Sequence, residues 1–154
     1  MVASTGNISY KSGINYPSCL PQIIKVGAVA NDAAGTRIAN FTNLGIPANF
    51  IGPILLAPGG SGFEFNPNGT LLYNVTNVKS ADPASTTATR DTNGTSMAAP
   101  HVAGLYAATK AAVPGISVND ATAWIAGSGS IPVQVSLPGS GDTQTYRRIR
   151  VPAL

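Results

Sequence analysis

The chain has 154 residues, the length of one ordinary domain and long enough to bury a single hydrophobic core. Charged residues make up only 10% of the sequence, far below the roughly 25% of soluble proteins, so the surface must be polar but largely uncharged, as suits a secreted protein. The net charge of +3 comes from nine scattered basic residues, too thinly spread to follow a phosphate backbone, so we expect no nucleic-acid partner.

No stretch of the sequence resembles a membrane anchor or a secretion signal. Apolar runs stay well short of the about 18 residues that span a bilayer, so we expect no membrane insertion. Residues 1–7 have neither the basic start nor the apolar stretch of a signal peptide. We expect an extracellular or cell-envelope protein whose export signal lies outside this chain.

The chain has a single cysteine, Cys19, so no disulfide can form within it. A lone cysteine usually behaves as a small buried apolar side chain, and we expect this for Cys19. A bridge to another segment is the alternative.

One buried strand is clear in the first half of the chain. Residues 23–30 are β-branched and mostly apolar, with Pro21 before them and turn-forming residues after them. Two β-prone runs at residues 62–65 and 70–75 then flank an Asn-Pro-Asn-Gly turn, which predicts a surface hairpin. Residues 76–92 show no periodicity, and we expect a loop there.

Two helices are predicted in the second half. Residues 97–112 are small or apolar on nearly every side, which predicts a helix that is buried on most faces and ends at Pro114 and Gly115. Ser117 is a suitable N-cap because an acidic residue follows three places later, and it starts a second helix that ends near Gly127.

The C-terminal part of the chain is β-prone again. Residues 132–137 and 143–151 flank a Gly-Ser-Gly-Asp turn, so we expect an antiparallel hairpin.

Ser96 stands at the start of the first predicted helix, where unpaired N–H groups and the helix dipole can stabilise a developing negative charge. A serine nucleophile also needs a general base and a residue that orients the base. The only histidine, His101, lies five residues further on, which turns its side chain about 140° away from that of Ser96 on a helix. We expect His101 to make a local hydrogen bond and to pack; a catalytic role is the less favoured alternative.

Other common catalytic arrangements do not fit the sequence. The Gly-x-Ser-x-Gly elbow needs a glycine where Ala98 stands, and it needs a histidine late in the chain, but none follows Asp120 or Asp142. One histidine and one cysteine far apart form no ligand cluster, so we predict no metal site from the residues alone. Acidic residues are too few and too scattered for a catalytic carboxylate pair.

The sequence around Ser96 resembles a known nucleophile motif. Residues 93–104, Asn-Gly-Thr-Ser-Met-Ala-Ala-Pro-His-Val-Ala-Gly, are similar to the long and specific nucleophile motif of the subtilisin-like serine proteases, the subtilases. Residues 2–7, Val-Ala-Ser-Thr-Gly-Asn, resemble the strand and turn that carry the oxyanion-hole asparagine of that family. Further similar segments follow in family order at residues 16–28, 38–45, 56–59 and 146–154.

This resemblance implies a fold and a set of roles. The fold is α/β, a subtilisin-like parallel sheet with flanking helices and a C-terminal antiparallel hairpin, and residues 1–154 are the C-terminal portion of one catalytic domain. Ser96 would attack the scissile carbonyl of a polypeptide substrate to form an acyl-enzyme, while Asn7 and the Ser96 backbone N–H hold the oxyanion. The pocket for the substrate residue before the cleaved bond would be lined by Val2, Ala3, Ser4 and Gly6.

The resemblance also implies that a part is missing. In subtilases the catalytic aspartate and histidine precede the oxyanion asparagine, and here neither they nor the N-terminal strands that carry them are present. We therefore expect an incomplete sheet, and a chain that is inactive without the missing N-terminal half of the domain as its partner. Calcium binding is suggested by the family resemblance alone. The alternative hypothesis is a non-catalytic binding module on the subtilase scaffold, or one half of a split protease.

Overall fold

The structure, a computed structural model, describes residues 1–65, 70–73, 77–136 and 142–150. In chain order its strands and α-helices are β1 (Val2–Ser4), β2 (Ile24–Val29), β3 (Ile54–Pro58), β4 (Phe63–Phe65), β5 (Leu71–Tyr73), β6 (Val78–Ala81), β7 (Thr89–Thr92), α1 (Thr95–Ala112), α2 (Val118–Ala126), β8 (Ser130–Ser136) and β9 (Thr143–Ile149). A single turn of 3₁₀-helix, Pro47–Asn49, precedes β3.

A five-stranded sheet in the order β1-β2-β3-β9-β8 forms the centre of the fold. β1, β2, β3 and β9 run parallel to one another, and β8 pairs antiparallel with β9. The α/β prediction is confirmed, and so is the C-terminal hairpin. Because β9 pairs with β3, that hairpin extends the main sheet and leaves β1 at the opposite edge.

Both sides of β2 and β3 are buried, which explains their continuous apolar sequences. Successive residues of a strand point to opposite faces of the sheet. In β3, Leu55 and Ala57 pack in the cluster that includes Val102 of α1 and Ile125 of α2. Leu56 lies in the second cluster, on the other side, together with β8 and β9 residues. α1 is therefore fixed against one face of the parallel strands.

The predicted buried strand at residues 23–30 is confirmed as β2, and its single charge is buried with it. The ammonium of Lys25 donates to the carbonyl oxygens of Leu20, Ile23 and Ile51 at 3.3, 2.9 and 2.8 Å. Loss of water around this group lowers the pKa of Lys25. Three carbonyl acceptors thus allow a cation to lie inside a strand that is otherwise apolar.

The prediction of a loop at residues 76–92 is wrong at residues 78–81 and 89–92, where β6 and β7 form an antiparallel pair. Lys79 lies opposite Asp91, and Ser80 lies opposite Arg90. Both strands are largely exposed, so they contain no alternation of apolar residues that would have revealed them. The earlier hairpin is confirmed as β4 and β5, with its predicted turn and residues 74–75 outside the described residues.

α1 begins at Thr95, two residues before the predicted start, and only one stripe of it is buried. The buried residues follow helical spacing, as expected for a helix that packs on one side: they are Thr95, Ala98, Val102, Leu105 and Thr109. The prediction of burial on most faces is wrong. The other side, mainly alanine, is exposed at Ala103, Gly104, Ala107, Ala108, Ala111 and Ala112.

α2 agrees with its prediction. The Ser117 hydroxyl accepts a hydrogen bond from the Asp120 backbone N–H at 3.0 Å, and Gly127 follows the last helical residue. Neither described α-helix is long and apolar enough to cross a bilayer.

Cys19 is exposed, so the expectation of a buried thiol is wrong. It lies in the irregular segment before β2, where the chain turns outside the core.

The hydroxyl of Tyr146 makes the stability of the fold depend on pH in the alkaline range. Tyr146 is 1% exposed, its hydroxyl donates to the Gly45 carbonyl at 3.0 Å, and burial raises its pKa to about 12. An unfolded tyrosine ionises near pH 10, so the stability that depends on the protonated folded tyrosine is complete below about pH 10 and is lost as pH rises toward 12.

We expect Tyr146→Phe to lower the free energy of unfolding by about 1 kcal/mol at pH 9, through the lost hydrogen bond. At pH 11 the difference in the free energy of unfolding between variant and wild type should be smaller. The folded wild type keeps the tyrosine protonated at a pH where the unfolded chain ionises it, and this lowers the stability of the wild type alone. Urea unfolding at both pH values measures this. Tyr16→Phe, at a position 78% exposed, is the control that shows no narrowing; a constant difference for Tyr146→Phe would contradict the assignment.

Candidate active site

The carboxyl ends of β2 and β3 meet the N-terminus of α1. Gly59, directly after β3, donates its N–H to the Val29 carbonyl at 2.9 Å and accepts the Gly94 N–H at 2.8 Å. A Cβ at Gly59 would lie only 2.7 Å from the Gly94 carbonyl oxygen, so only glycine lets the helix start approach this closely. The carboxyl edge of an open α/β sheet is where such folds place their sites.

Asn7, just beyond β1, is bound to the first residue of α1. Its Oδ1 accepts hydrogen bonds from the Thr95 backbone N–H at 2.9 Å and from the Thr95 hydroxyl at 2.7 Å. The same hydroxyl accepts the Gly6 N–H at 3.3 Å, and Thr95 is completely buried. These bonds fix which way the Asn7 amide faces: its oxygen is engaged by Thr95, and its Nδ2 remains available as a donor.

Two N–H donors border one small space beside Gly94. Gly94 has φ +146°, and a Cβ built on it would lie 3.5 Å from Asn7 Nδ2 and 3.7 Å from the Ser96 backbone nitrogen. A glycine therefore keeps this space open. Ser96, the second residue of α1, is exposed. Among the described residues its N–H has no acceptor, as is usual in the first turn of a helix.

This arrangement can stabilise a negative oxygen next to an exposed hydroxyl. Two preorganised N–H groups at a helix N-terminus form the kind of oxyanion site used in acyl transfer. The structure thus brings together Gly6, Asn7 and Ser96, three of the residues that the sequence suggested. They come from two separate segments of the chain: Gly6 and Asn7 from residues 2–7, and Ser96 from the start of α1.

Val2, Ala3 and Ser4 form β1 itself and are half-buried. β1 pairs only with β2, so within the described residues its outer edge has no neighbouring strand. These residues lead into the segment that carries Asn7, and their place in a substrate pocket stays a prediction.

His101 faces away from this space. Its Nδ1 lies 2.8 Å from the Met97 carbonyl oxygen, so the expected local hydrogen bond is present. The ring is exposed and borders an open apolar groove with Leu105, Ala108 and Ile149, so its expected packing is limited to this surface. The chain has no other histidine.

The described residues offer no acidic cluster for the calcium that the resemblance suggested. No three His, Cys, Asp or Glu side chains come together in residues 1–65, 70–73, 77–136 and 142–150.

Sequence reasoning did not identify Thr95 and Asn43 as site residues. Thr95 lies inside the nucleophile motif, but nothing in its spacing indicated that it binds Asn7. Asn43 lies in the Phe-Thr-Asn segment that resembled the family, and it is completely buried beside Gly6. That segment was the only available signal.

Comparison with known proteins bears on the family and the fold of the chain. The model described as "Subtilase family" matches residues 1–141. Among solved structures, "S41 Psychrophilic Protease" is 28% identical with a TM-score of 0.64, over 98% of this chain and 48% of that chain. "Sphericase" is 29% identical with a TM-score of 0.53, over 80% of this chain and 37% of that chain.

A cold-adapted subtilisin-like serine proteinase, 20% identical, has a TM-score of 0.62 over 97% of this chain and 44% of that chain, which shows the shared fold. No curated protein matches the chain. The chain thus spans less than half of the length of these solved structures.

Proposed function

The chain belongs to the subtilase family, and we propose that it is the part of a serine endopeptidase that carries the nucleophile and the oxyanion hole. The observation that carries this proposal is the space beside Gly94, bordered by Asn7 Nδ2 and the Ser96 N–H. Both donors lie beside the one serine whose hydroxyl is exposed at the start of α1.

In the proposed reaction the Ser96 oxygen attacks the carbonyl carbon of the peptide bond while a histidine removes the hydroxyl proton. The carbonyl oxygen becomes an oxyanion held by Asn7 Nδ2 and the Ser96 N–H. The histidine then gives its proton to the departing amine, which leaves the acyl group on Ser96, and water releases it. Substrate would lie along β1 and Gly6, with Val2, Ala3 and Ser4 forming one wall of the pocket.

The base in this reaction must come from outside the chain, because the ring of His101 binds its own helix. We propose that residues 1–154 are the C-terminal portion of a catalytic domain, and that its N-terminal half supplies the histidine and the aspartate. Two features support such a partner: the outer edge of β1, which pairs with no other strand among the described residues, and the exposed alanine face of α1. Export to the cell surface or beyond agrees with the low charge and with the family.

The test of the incomplete site uses the isolated chain. Purified residues 1–154 should hydrolyse no peptide above the buffer rate, and an organophosphonate should not label Ser96, because no base activates its hydroxyl. Peptide mass spectrometry locates any label. Strong labelling of Ser96 in the isolated chain would contradict the proposal that the base lies elsewhere.

A completed enzyme makes the catalytic role itself testable. It is a single chain in which the N-terminal half of the S41 psychrophilic protease precedes residue 1, since that protease matches 98% of this chain. Peptide hydrolysis by this chimera would distinguish the protease from the alternative of a binding module that keeps only the scaffold.

A further inference from the structure

The loop that carries Asn7 is held by a buried asparagine from a different segment. Asn43 is completely buried, and its Oδ1 accepts hydrogen bonds from the backbone N–H groups of Ile8 at 3.1 Å and Tyr10 at 3.0 Å. Two N–H groups spaced by two residues are the donors that a neighbouring strand would normally accept. Here one side-chain oxygen takes the place of that strand.

Backbone hydrogen bonds join the same two segments of the chain. Segment 41–44 is joined to loop 6–10 by three further hydrogen bonds: Ser9 N–H to Phe41 carbonyl at 2.8 Å, Asn43 N–H to Gly6 carbonyl at 2.9 Å, and Leu44 N–H to Tyr10 carbonyl at 2.8 Å. Asn7 lies between two of the anchored positions, Gly6 and Ile8. The position of its amide therefore depends on how firmly segment 41–44 holds the loop.

The loop adopts a conformation that needs such support. Gly6 has φ +111° and Ser9, which is not a glycine, has φ +61°. A left-handed non-glycine residue costs about 1–3 kcal/mol and persists only where its surroundings impose it. A Cβ at Gly6 would lie 2.5 Å from Asn43 Nδ2, so the asparagine amide also fills the space against the loop backbone.

The amide of Asn43 can face only one way. Its Nδ2 donates to Asn15 Oδ1 at 3.1 Å, while its Oδ1 accepts the two loop N–H groups. An apolar side chain of the same size would remove the acceptor of both part-buried N–H groups, and each lost hydrogen bond costs about 0.5–1.5 kcal/mol.

We propose that Asn43 is a positioning residue for the oxyanion hole. By holding Ile8 and Tyr10, it keeps Asn7 in the place where Oδ1 binds Thr95 and Nδ2 faces the space beside Ser96. Its importance for catalysis rests on the proposed function of Asn7. The geometric part does not, because it can be read from the bonds of Asn7 without any substrate.

Hydrogen exchange of single backbone amides in the full chain tests this proposal. The Thr95 N–H is the informative probe, because its acceptor is Asn7 Oδ1 and it lies far along the chain from residue 43. In Asn43→Leu we expect the amides of Ile8, Tyr10 and Thr95 to exchange at least about tenfold faster, the effect of losing about 1.4 kcal/mol of local stability. The Ala121 amide of α2, bound to the Ser117 carbonyl, should be unchanged.

Two further variants test whether the acceptor oxygen of Asn43 slows exchange, as distinct from the other contacts of its side chain. Asn43→Asp keeps an oxygen for Ile8 and Tyr10 and should keep all three amides slow. Asn15→Ala removes the partner of Nδ2, leaves the acceptor in place and should also keep them slow.

Equal acceleration at Ala121 would assign Asn43 to general stability and overturn the proposal. An unchanged Thr95 amide in Asn43→Leu would overturn it as well, because Asn7 would then be held by other means. The proposed function fails separately, if the completed enzyme lacks activity while the exchange pattern is as expected.

Discussion

In the completed enzyme, replacing Asn7 with leucine lowers turnover by about 10²–10³, the magnitude known for subtilisin's own oxyanion asparagine. Leucine has nearly the same size but no N–H, so the developing oxyanion keeps only the Ser96 N–H as a donor. KM should change little, because the lost hydrogen bond forms fully only in the transition state. Steady-state hydrolysis of a chromogenic peptide gives both constants.

A second variant distinguishes the proposed role of Asn7 Nδ2 as a donor from the role of Asn7 Oδ1 in binding Thr95. Asn7→Asp keeps an oxygen for the Thr95 N–H and hydroxyl, but it replaces Nδ2 with a second oxygen and should lose at least as much turnover. Asn119 is an exposed asparagine of α2, and Asn119→Ala is the control that should keep full turnover. Full turnover in Asn7→Asp would show that the Asn7 amide is not the oxyanion donor.

Replacing Ser96 with alanine lowers turnover by about 10⁶, as loss of the nucleophile does in subtilisin. Only the residual rate that the oxyanion hole and substrate binding supply, about 10³–10⁴ over water, should remain. The measurement is again steady-state hydrolysis, with the folded state of the variant checked by its melting temperature.

His101→Ala is the matched control for this second prediction. The ring binds the Met97 carbonyl and borders a groove away from the oxyanion space, so turnover should stay close to that of the unaltered chimera. A loss comparable to that of Ser96→Ala would instead make His101 the base, in contradiction to the geometry.

The parts of the fold that the sequence predicted are those that leave a periodic or capping signal. The apolar run of β2 and the Ser117 cap of α2 were both predicted, and the structure contains both. The pair β6 and β7 was missed because its residues are largely exposed and polar, so burial imposes no alternation on them.

Composition alone also led to wrong predictions of burial for α1 and for Cys19. Alanine packs in an interior and is equally tolerated on a surface, so an alanine-rich helix does not reveal which face is covered. The exposed small residues of α1 form the face for which a partner is proposed.

The residues of the site could be predicted only where a sequence motif indicated them. Ser96 and Asn7 were found through segments that resemble a family. The contacts of Asn7 with Thr95 and of Asn43 with Ile8 join residues 88 and 35 positions apart. Single hydrogen bonds between side chain and backbone across such separations leave no pattern in one sequence, so these contacts emerged only from the structure.

The most direct measurement of the central claim is organophosphonate labelling of Ser96 in two preparations, residues 1–154 alone and the completed enzyme. If Ser96 is a nucleophile whose base lies in a missing half, the label appears on Ser96 in the completed enzyme and is absent from the isolated chain. Equal labelling of both preparations, or a folded completed enzyme whose Ser96 stays unlabelled, would contradict it.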